Sequence, residues 1–425
     1  RPYVVTELIL LSVGLLFCII LMAGNKSRVA NKSLVFLFFL IYLFTYNLVY
    51  VFLRTFDVDN ISLYDSLFFS IQEFRLSTLG YFLPLLFMPL NINERDKIIE
   101  FFVLLAKISI VYTIFEQLLS SLGFRTFFES LYENSGVVSS NQIGLKSFGI
   151  YRVFGLIGSP QLLGVFHLLT LSLLLYKKEK FWSYLSVLAV FLSTSKTAIL
   201  ILILLALLYL FVNQKYLLFS ITIIGVSLIG FTLYEINAYL VSKLSLDYPY
   251  LQKFVQSIEG YFLLTLYEID YFSHQAGGIY LIPSGPLTKM TNYFSQNPLE
   301  LFFGKGITYS FLHTPDLLQT AFNQVDLKIR DQFYVGLSSD FYILTYFEQY
   351  GIIGTLFFTI VFLLYPLILL FKKHSFILYM PIIFYLGCFH YPPQISKLFM
   401  LFVGLSIWLI YLRSNDNADD KVPLR

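Results

Sequence analysis

Charge is what this chain has least of: Asp, Glu, Lys and Arg make up 13% of its 425 residues, about half the share a soluble domain carries. Proline is scarce, with 14 residues. The only cysteines, Cys18 and Cys388, both fall inside apolar stretches and are read as packing residues, which excludes a disulfide-rich secreted domain. A net charge of +3 comes with no basic block, which excludes a nucleic-acid-binding module. The five His and two Cys show no metal-ligand spacing, so no zinc site is expected, and there is no phosphate-binding loop of the nucleotide-binding kind. No internal repeat is visible; a repeat would have favoured a transporter.

What remains is apolar. Hydrophobic residues are 57% of the chain and aromatics 19%, with 46 Phe and 32 Tyr. They fall into continuous runs of about 17 to 25 residues, the length that crosses a bilayer as helix. Membrane barrels alternate residue by residue instead, so helices are the spanning structure left. The expectation is an all-α polytopic membrane protein with about 11–12 transmembrane helices and a large helical outer loop. The runs are Val4–Ala23, Ser33–Leu53, Phe74–Leu90, Ile98–Leu119, Gln161–Tyr176, Phe181–Ser193, Thr197–Val212, Tyr216–Tyr234, Tyr342–Phe371, Phe376–His390 and Leu398–Leu412.

Lys26, Arg28, Lys32, Arg95, Lys97, Lys177, Lys178, Lys180, Lys215, Lys372 and Lys373 all lie in short connections on one side of this arrangement. By the positive-inside rule that side is cytoplasmic. The organisation expected is N-terminal membrane helices over 1–119, a first long outer loop over 120–160, central membrane helices over 161–234, a large outer loop over 235–340, C-terminal membrane helices over 341–412 and a polar cytoplasmic tail over 413–425. The chain opens on Arg1 and not Met, and the odd helix count places that end outside, so a preceding segment is expected.

Polar residues are few enough to weigh singly. Arg152 precedes Gly155, Gly158, Ser159 and Pro160 at the start of a helix. A cation beside a helix N-terminus is a phosphate site; the plain alternative is an interfacial Arg whose charged end reaches water. Ser193-Thr194-Ser195-Lys196-Thr197 interrupts two short runs, which makes it a helical-hairpin turn with Lys196 either binding an anion or simply snorkelling. The large loop is rich in aromatics and is expected to fold as amphipathic helices against the membrane. It contains His313, Lys289 on a helix leading to Gly304-Lys305-Gly306, and Arg330. Asp340 opens the longest helix and is an N-cap or a base at the mouth of the site. Glu348, about two turns inside that helix, is the more expensive carboxylate, and Gly351 and Gly354 suggest that it faces a crowded helix interface and not lipid. His167, Lys107, Glu116, Arg75 and Glu73 are most simply packed partners for one another, and Arg75 stands near the outer start of its helix. Asp57-Val58-Asp59 is formally a metal-binding pair, a pattern short enough to arise by chance.

In order and spacing, Arg152…Gly155…Gly158-Ser159-Pro160, Leu192-Ser193-Thr194-Ser195-Lys196-Thr197-Ala198, Phe303-Gly304-Lys305-Gly306 and Asp340-Phe341-Tyr342…Glu348…Gly351-Ile352-Ile353-Gly354 resemble the Wzy-type O-antigen polymerases and the related O-antigen ligases. The resemblance runs from about Phe148 to Leu370. Two departures from the family's pattern keep charge and lose the bidentate fork: Lys196 stands where the family usually has Arg, and so does Lys289. Ser339-Asp340 replaces the His-Asn pair usual in the ligases, which favours polymerase.

The resemblance implies a GT-C-like fold and glycosyl transfer at the outer, periplasmic face of a bacterial inner membrane. A growing glycan on undecaprenyl pyrophosphate would move to the terminal sugar of another lipid-linked repeat unit, without metal or cofactor. Its partners would be that undecaprenyl-pyrophosphate-linked oligosaccharide, the lipid bilayer and a chain-length regulator protein, with no nucleic acid. A pyrophosphate leaves as a stabilised anion once cations meet it, so one base and a few cations suffice. Arg152, with Lys196 and Lys289 in support, is expected to hold the pyrophosphate; Arg330 and Arg75 are further cations for phosphate or glycan. Asp340 is the preferred base and His313 the alternative. The competing readings are an O-antigen ligase, a metal-dependent glycosyltransferase using Asp57 and Asp59, and a lipid-linked oligosaccharide flippase.

Overall fold

The computed structural model describes residues 31–46, 79–84, 92–135, 146–147, 150–228, 271–275, 278–282, 294–295, 298–304, 342–389 and 397–412. The described residues are mostly helical. In chain order the helices are α1 (Asn31–Thr45), α2 (Leu79–Phe82), α3 (Ile92–Leu119), α4 (Arg125–Ser135), α5 (Pro160–Tyr176), α6 (Lys180–Leu192), α7 (Lys196–Val212), α8 (Tyr216–Leu228), α9 (Pro298–Phe303), α10 (Tyr342–Thr359), α11 (Tyr365–Lys373), α12 (Tyr379–Gly387) and α13 (Lys397–Ile407). Two short antiparallel hairpins accompany them: β1 (Lys146–Ser147) with β2 (Ile150–Tyr151), and β3 (Tyr271–Gln275) with β4 (Gly278–Ile282), where Tyr271 pairs Ile282 and Gln275 pairs Gly278.

Helix α5 is apolar all round and sits at the centre. Nearly every residue from Leu162 to Leu174 is buried, as expected of a helix without a polar face, and α3, α6, α7 and α12 pack around it. The chain returns between neighbours through very short turns. Lys178, Thr194 and Gln214 each take the left-handed conformation in such a turn, which ends one helix and reverses the chain before the next. Sequence runs and observed helices coincide through this region, from α5 to α8.

Two helical runs, Asp96–Tyr132 and Gln349–Lys373, are long and apolar enough to cross a membrane. In the first, α3 runs into a wide turn at Ser120–Phe124, the chain bends at Gly123, and α4 follows within the stretch expected as the first outer loop. The outward face of α3 is apolar, and its inward face mixes the buried Phe102, Val103, Ala106 and Ile110 with polar groups. Phe101, Leu104, Ile108, Val111, Phe115 and Leu118 are exposed, Phe101 by 54%, whereas Ser109, Thr113, Glu116, Gln117 and Ser120 are buried.

The large loop also differs from expectation. Its described parts include the β3–β4 hairpin as well as the short helix α9, because the aromatic and β-branched residues of Tyr271-Phe272 and Ile279-Tyr280 suit a strand. The N-terminal run Val4–Ala23 lies outside the described residues.

Aromatic rings fill the core. Tyr346 stacks near Phe358 at 4.5 Å, Phe358 near Phe362 at 4.8 Å, and Phe362 near Phe384 at 4.8 Å, while Phe39 meets Tyr81 edge-on at 5.5 Å. Such tilted and edge contacts add to what the buried area alone contributes. In this part of the molecule the aromatic richness is packing, not a carbohydrate platform.

Candidate functional site

Two polar segments separated in sequence meet at the N-terminal end of α5. The first is the loop from Ile150 to Ser159. After β2, Arg152 is half-buried, Val153 and Phe154 are buried, and Gly155–Ile157 forms a single tight turn closed by Gly158 in the left-handed conformation. Gly155 has φ +57°, and a Cβ there would lie 2.5 Å from Leu163 Cδ1. Only glycine satisfies both the backbone and the contact.

The second segment is the turn Ser193–Ser195 between α6 and α7. Ser195 caps α7 by accepting from the Ala198 amide at 3.3 Å, and its hydroxyl donates to the Gln161 carbonyl at 3.3 Å. Gly164 of α5 makes the close approach possible: a Cβ on it would stand 2.6 Å from both Ser193 Oγ and Ala198 Cβ. Lys196, half-buried, is the first residue of α7. The arrangement therefore brings the Arg152 loop, the α5 N-terminus and the Lys196 turn together. Ser159 stands at the cap position of α5 without a side-chain bond to its first amides, and a helix N-terminus in that condition favours an anion. At the opposite end of α5, about 25 Å away by helix rise, lies the cationic turn Lys177–Lys180.

Beneath the loop is a buried ionic knot. Glu116 of α3 is fully buried. Its Oε1 accepts from the Phe154 amide at 3.1 Å and from Arg125 Nη1 at 3.4 Å; its Oε2 accepts from the Gly155 amide at 2.9 Å and from Tyr132 Oη at 2.7 Å. Arg125 also approaches Glu129 at 3.6 Å and lies over the rings of Tyr151 at 5.4 Å and Phe154 at 5.6 Å. Phe128, Tyr132 and Phe154 pack as a small core around it.

This corrects one expectation. Glu116, Lys107 and His167 are not partners for one another. Lys107 pairs with Glu179 at 3.0 Å and lies over Trp182. His167 Nε2 is 2.9 Å from Thr113 Oγ1, whose hydroxyl donates to the Ser109 carbonyl, so the imidazole N–H is the donor. Arg125 went unrecognised as a candidate because it sits in what reads as loop sequence; the kink at Gly123 between α3 and α4 is what carries it back over Glu116.

A second junction joins the Gly304 turn to α10. Gly304 (φ +78°) and Gly351 (φ +65°) are in direct contact, and a Cβ on either would overlap the other's backbone or its neighbour's. The break at Gly351 frees carbonyls in the preceding turn. Tyr42 Oη donates to the Tyr350 carbonyl at 2.9 Å and Tyr46 Oη donates to that of Gln349, so α1 satisfies what the kink leaves open. The interface at Gly351 and Gly354 is crowded, with Gly354 facing Tyr42; the side chain of Glu348, expected to face it, lies outside the described residues.

Of the expected site residues, Arg152 and Lys196 are brought to one end of α5. Arg75, Lys289, His313, Arg330 and Asp340 lie outside the described residues, as do Asp57 and Asp59. Among the described residues no three His, Cys, Asp or Glu converge as metal ligands. No protein-family model, curated protein or solved structure matches the chain.

Proposed function

We propose that the chain is a multi-pass protein of a bacterial inner membrane that polymerises a surface polysaccharide at the outer face, as a Wzy-type O-antigen polymerase. The membrane reading draws on the apolar outward face of α3, with Ser109, Thr113 and Glu116 buried on its inward side, since so continuous an exposed apolar stripe suits lipid and not water. The catalytic reading is carried by one observation: the Arg152 loop, the α5 N-terminus and the Lys196 turn share one end of α5, opposite the cationic turn.

In this reaction the acceptor hydroxyl oxygen attacks the anomeric carbon of the donor glycan. The bond from that carbon to the pyrophosphate oxygen breaks, and the configuration inverts. Asp340 takes the hydroxyl proton, with His313 as the alternative base. Arg152 and Lys196, joined by Lys289, Arg330 and Arg75, hold the undecaprenyl pyrophosphate as its charge grows.

The test is reconstitution of the purified protein with undecaprenyl-pyrophosphate-linked repeat units, in EDTA, alongside Arg152→Ala. The expected result is a ladder of products, lost in the variant. A wild-type protein that makes no ladder from competent substrate overturns the polymerase reading and favours ligase or flippase; a ladder undiminished in Arg152→Ala removes that residue from the site.

A further inference from the structure

We propose that Glu116 is a positioning residue for this reaction: a buried carboxylate that clamps the backbone of the Arg152 loop and so sets where its cation stands. The inference rests on the polymerase reading above. Glu116 is on α3, remote in sequence from the loop, and it spends both carboxylate oxygens there. One accepts from the Phe154 amide at 3.1 Å and the other from the Gly155 amide at 2.9 Å. Two consecutive backbone N–H groups held by one carboxylate fix the peptide plane between them in position and orientation.

That plane lies two residues from Arg152 and immediately precedes the left-handed turn leading to α5. The carboxylate is itself held in place by Tyr132 at 2.7 Å and Arg125 at 3.4 Å, and Tyr132 Oη is also 3.3 Å from the Gly155 carbonyl. The amide and the carbonyl of Gly155, on successive peptide planes, are thereby both addressed from α3 and α4. Full burial of a carboxylate in an apolar bundle is costly unless its bonds are complete. Four donors to two oxygens satisfy that requirement, and packing alone would have been served by an apolar side chain. The clamp binds no substrate; it acts through the loop. Its effect should therefore fall on the step in which pyrophosphate charge develops, in kcat more than in KM.

Glu116→Gln is the main variant, because Gln keeps the shape while its amide nitrogen confronts one of the two N–H donors. Tyr132→Phe is a milder second variant that leaves the carboxylate charge intact. Lys107→Met, which breaks a half-exposed pair elsewhere on α3, is the control. Two readouts are taken on the full-length purified protein: hydrogen exchange of peptides covering 153–158, and steady-state chain extension with the lipid-linked repeat units. Glu116→Gln is expected to speed exchange at Phe154 and Gly155 by about tenfold. It is expected to lower kcat by about tenfold or more with KM changed less than about twofold. Tyr132→Phe should move both readouts in the same direction by less, and Lys107→Met neither.

Unchanged exchange in Glu116→Gln overturns the clamp. Faster exchange with unchanged kcat overturns the positioning role and leaves a structural joint. If wild-type protein makes no ladder while exchange still responds, the polymerase reading has failed, and the positioning role with it, although the clamp stands. Should Glu116→Gln fail to fold, the Tyr132→Phe readouts decide by the same outcomes.

Discussion

Gly304 and Gly351 meet backbone to backbone, each with positive φ, at the point where the turn after α9 touches the kinked helix α10. Neither position tolerates a Cβ. Gly304→Ala or Gly351→Ala should each destabilise the protein by about 3 kcal/mol, from left-handed strain and overlap together. The double variant should lose less than the sum, because the first substitution already parts the two segments. Thermal unfolding of the purified protein in detergent, followed by aggregation, measures all three.

The tyrosines that complete this junction offer a finer probe. Tyr42→Phe removes the donor to the Tyr350 carbonyl and leaves that buried acceptor open, which should cost about 1 to 3 kcal/mol. The same loss is expected for Tyr46→Phe at Gln349. A melting midpoint within error of wild type in both variants would show that the kinked turn meets its carbonyls by other means.

The two ion pairs on α3 differ in burial and should differ in worth. Lys107 and Glu179 are 25% and 38% exposed at their side chains, against 6% and 0% for Arg125 and Glu116. Lys107→Met should therefore change stability by less than about 1 kcal/mol. Arg125→Met strands a buried carboxylate and should cost about 3 to 5 kcal/mol. Equal melting shifts in the two variants would contradict the assignment of Glu116 as the buried partner.

Val111 tests the membrane reading. It lies in the exposed apolar stripe of α3, and Val111→Lys would place a charge against hydrocarbon at about 3 kcal/mol by insertion scales. Reduced recovery in the membrane fraction is expected, measured beside Val111→Leu. Full recovery of the lysine variant would argue that this face meets water.

Asp340→Asn separates cap from base, since Asn caps a helix as well as Asp. As the base, Asp340 should take about a hundredfold or more of kcat with it when its proton-accepting charge is removed. Wild-type rates in Asp340→Asn, combined with loss in His313→Gln, would pass the role to His313.

The central helices were legible because apolar runs ending in Lys177-Lys178-Glu179-Lys180 or Ser193-Thr194-Ser195-Lys196 carry both length and punctuation. Arg152 and Lys196 were legible as cations out of place. Their neighbourhood at the α5 N-terminus depends on a small residue, Gly164, whose meaning appears only when Ser193 and Ala198 lie against it. Glu116 read as one of several intramembrane polar residues that would pair with one another, because hydropathy cannot tell that Phe154 and Gly155 will present their amides to it. Arg125 was hidden because the stretch after Leu119 reads as loop, and only the kink at Gly123 with a helix behind it turns Arg125 back over Glu116. The β3–β4 hairpin was missed for a related reason, since so short an aromatic and apolar run does not distinguish a strand from part of a helix.

The long bent run Asp96–Tyr132 acts as a depth gauge. From Lys97, on the cationic side, to Glu116 is about 28 Å of helix rise, close to the roughly 30 Å of bilayer hydrocarbon. With α3 upright, the carboxylate stands at the far boundary of the oil, where lipid phosphates begin. On the polymerase function proposed above, a polyprenyl chain would then remain dissolved in the bilayer while its pyrophosphate meets the loop at its own natural height. Shortening α3 by a turn would lower that loop by about 5 Å and ask the donor's charged group to enter hydrocarbon.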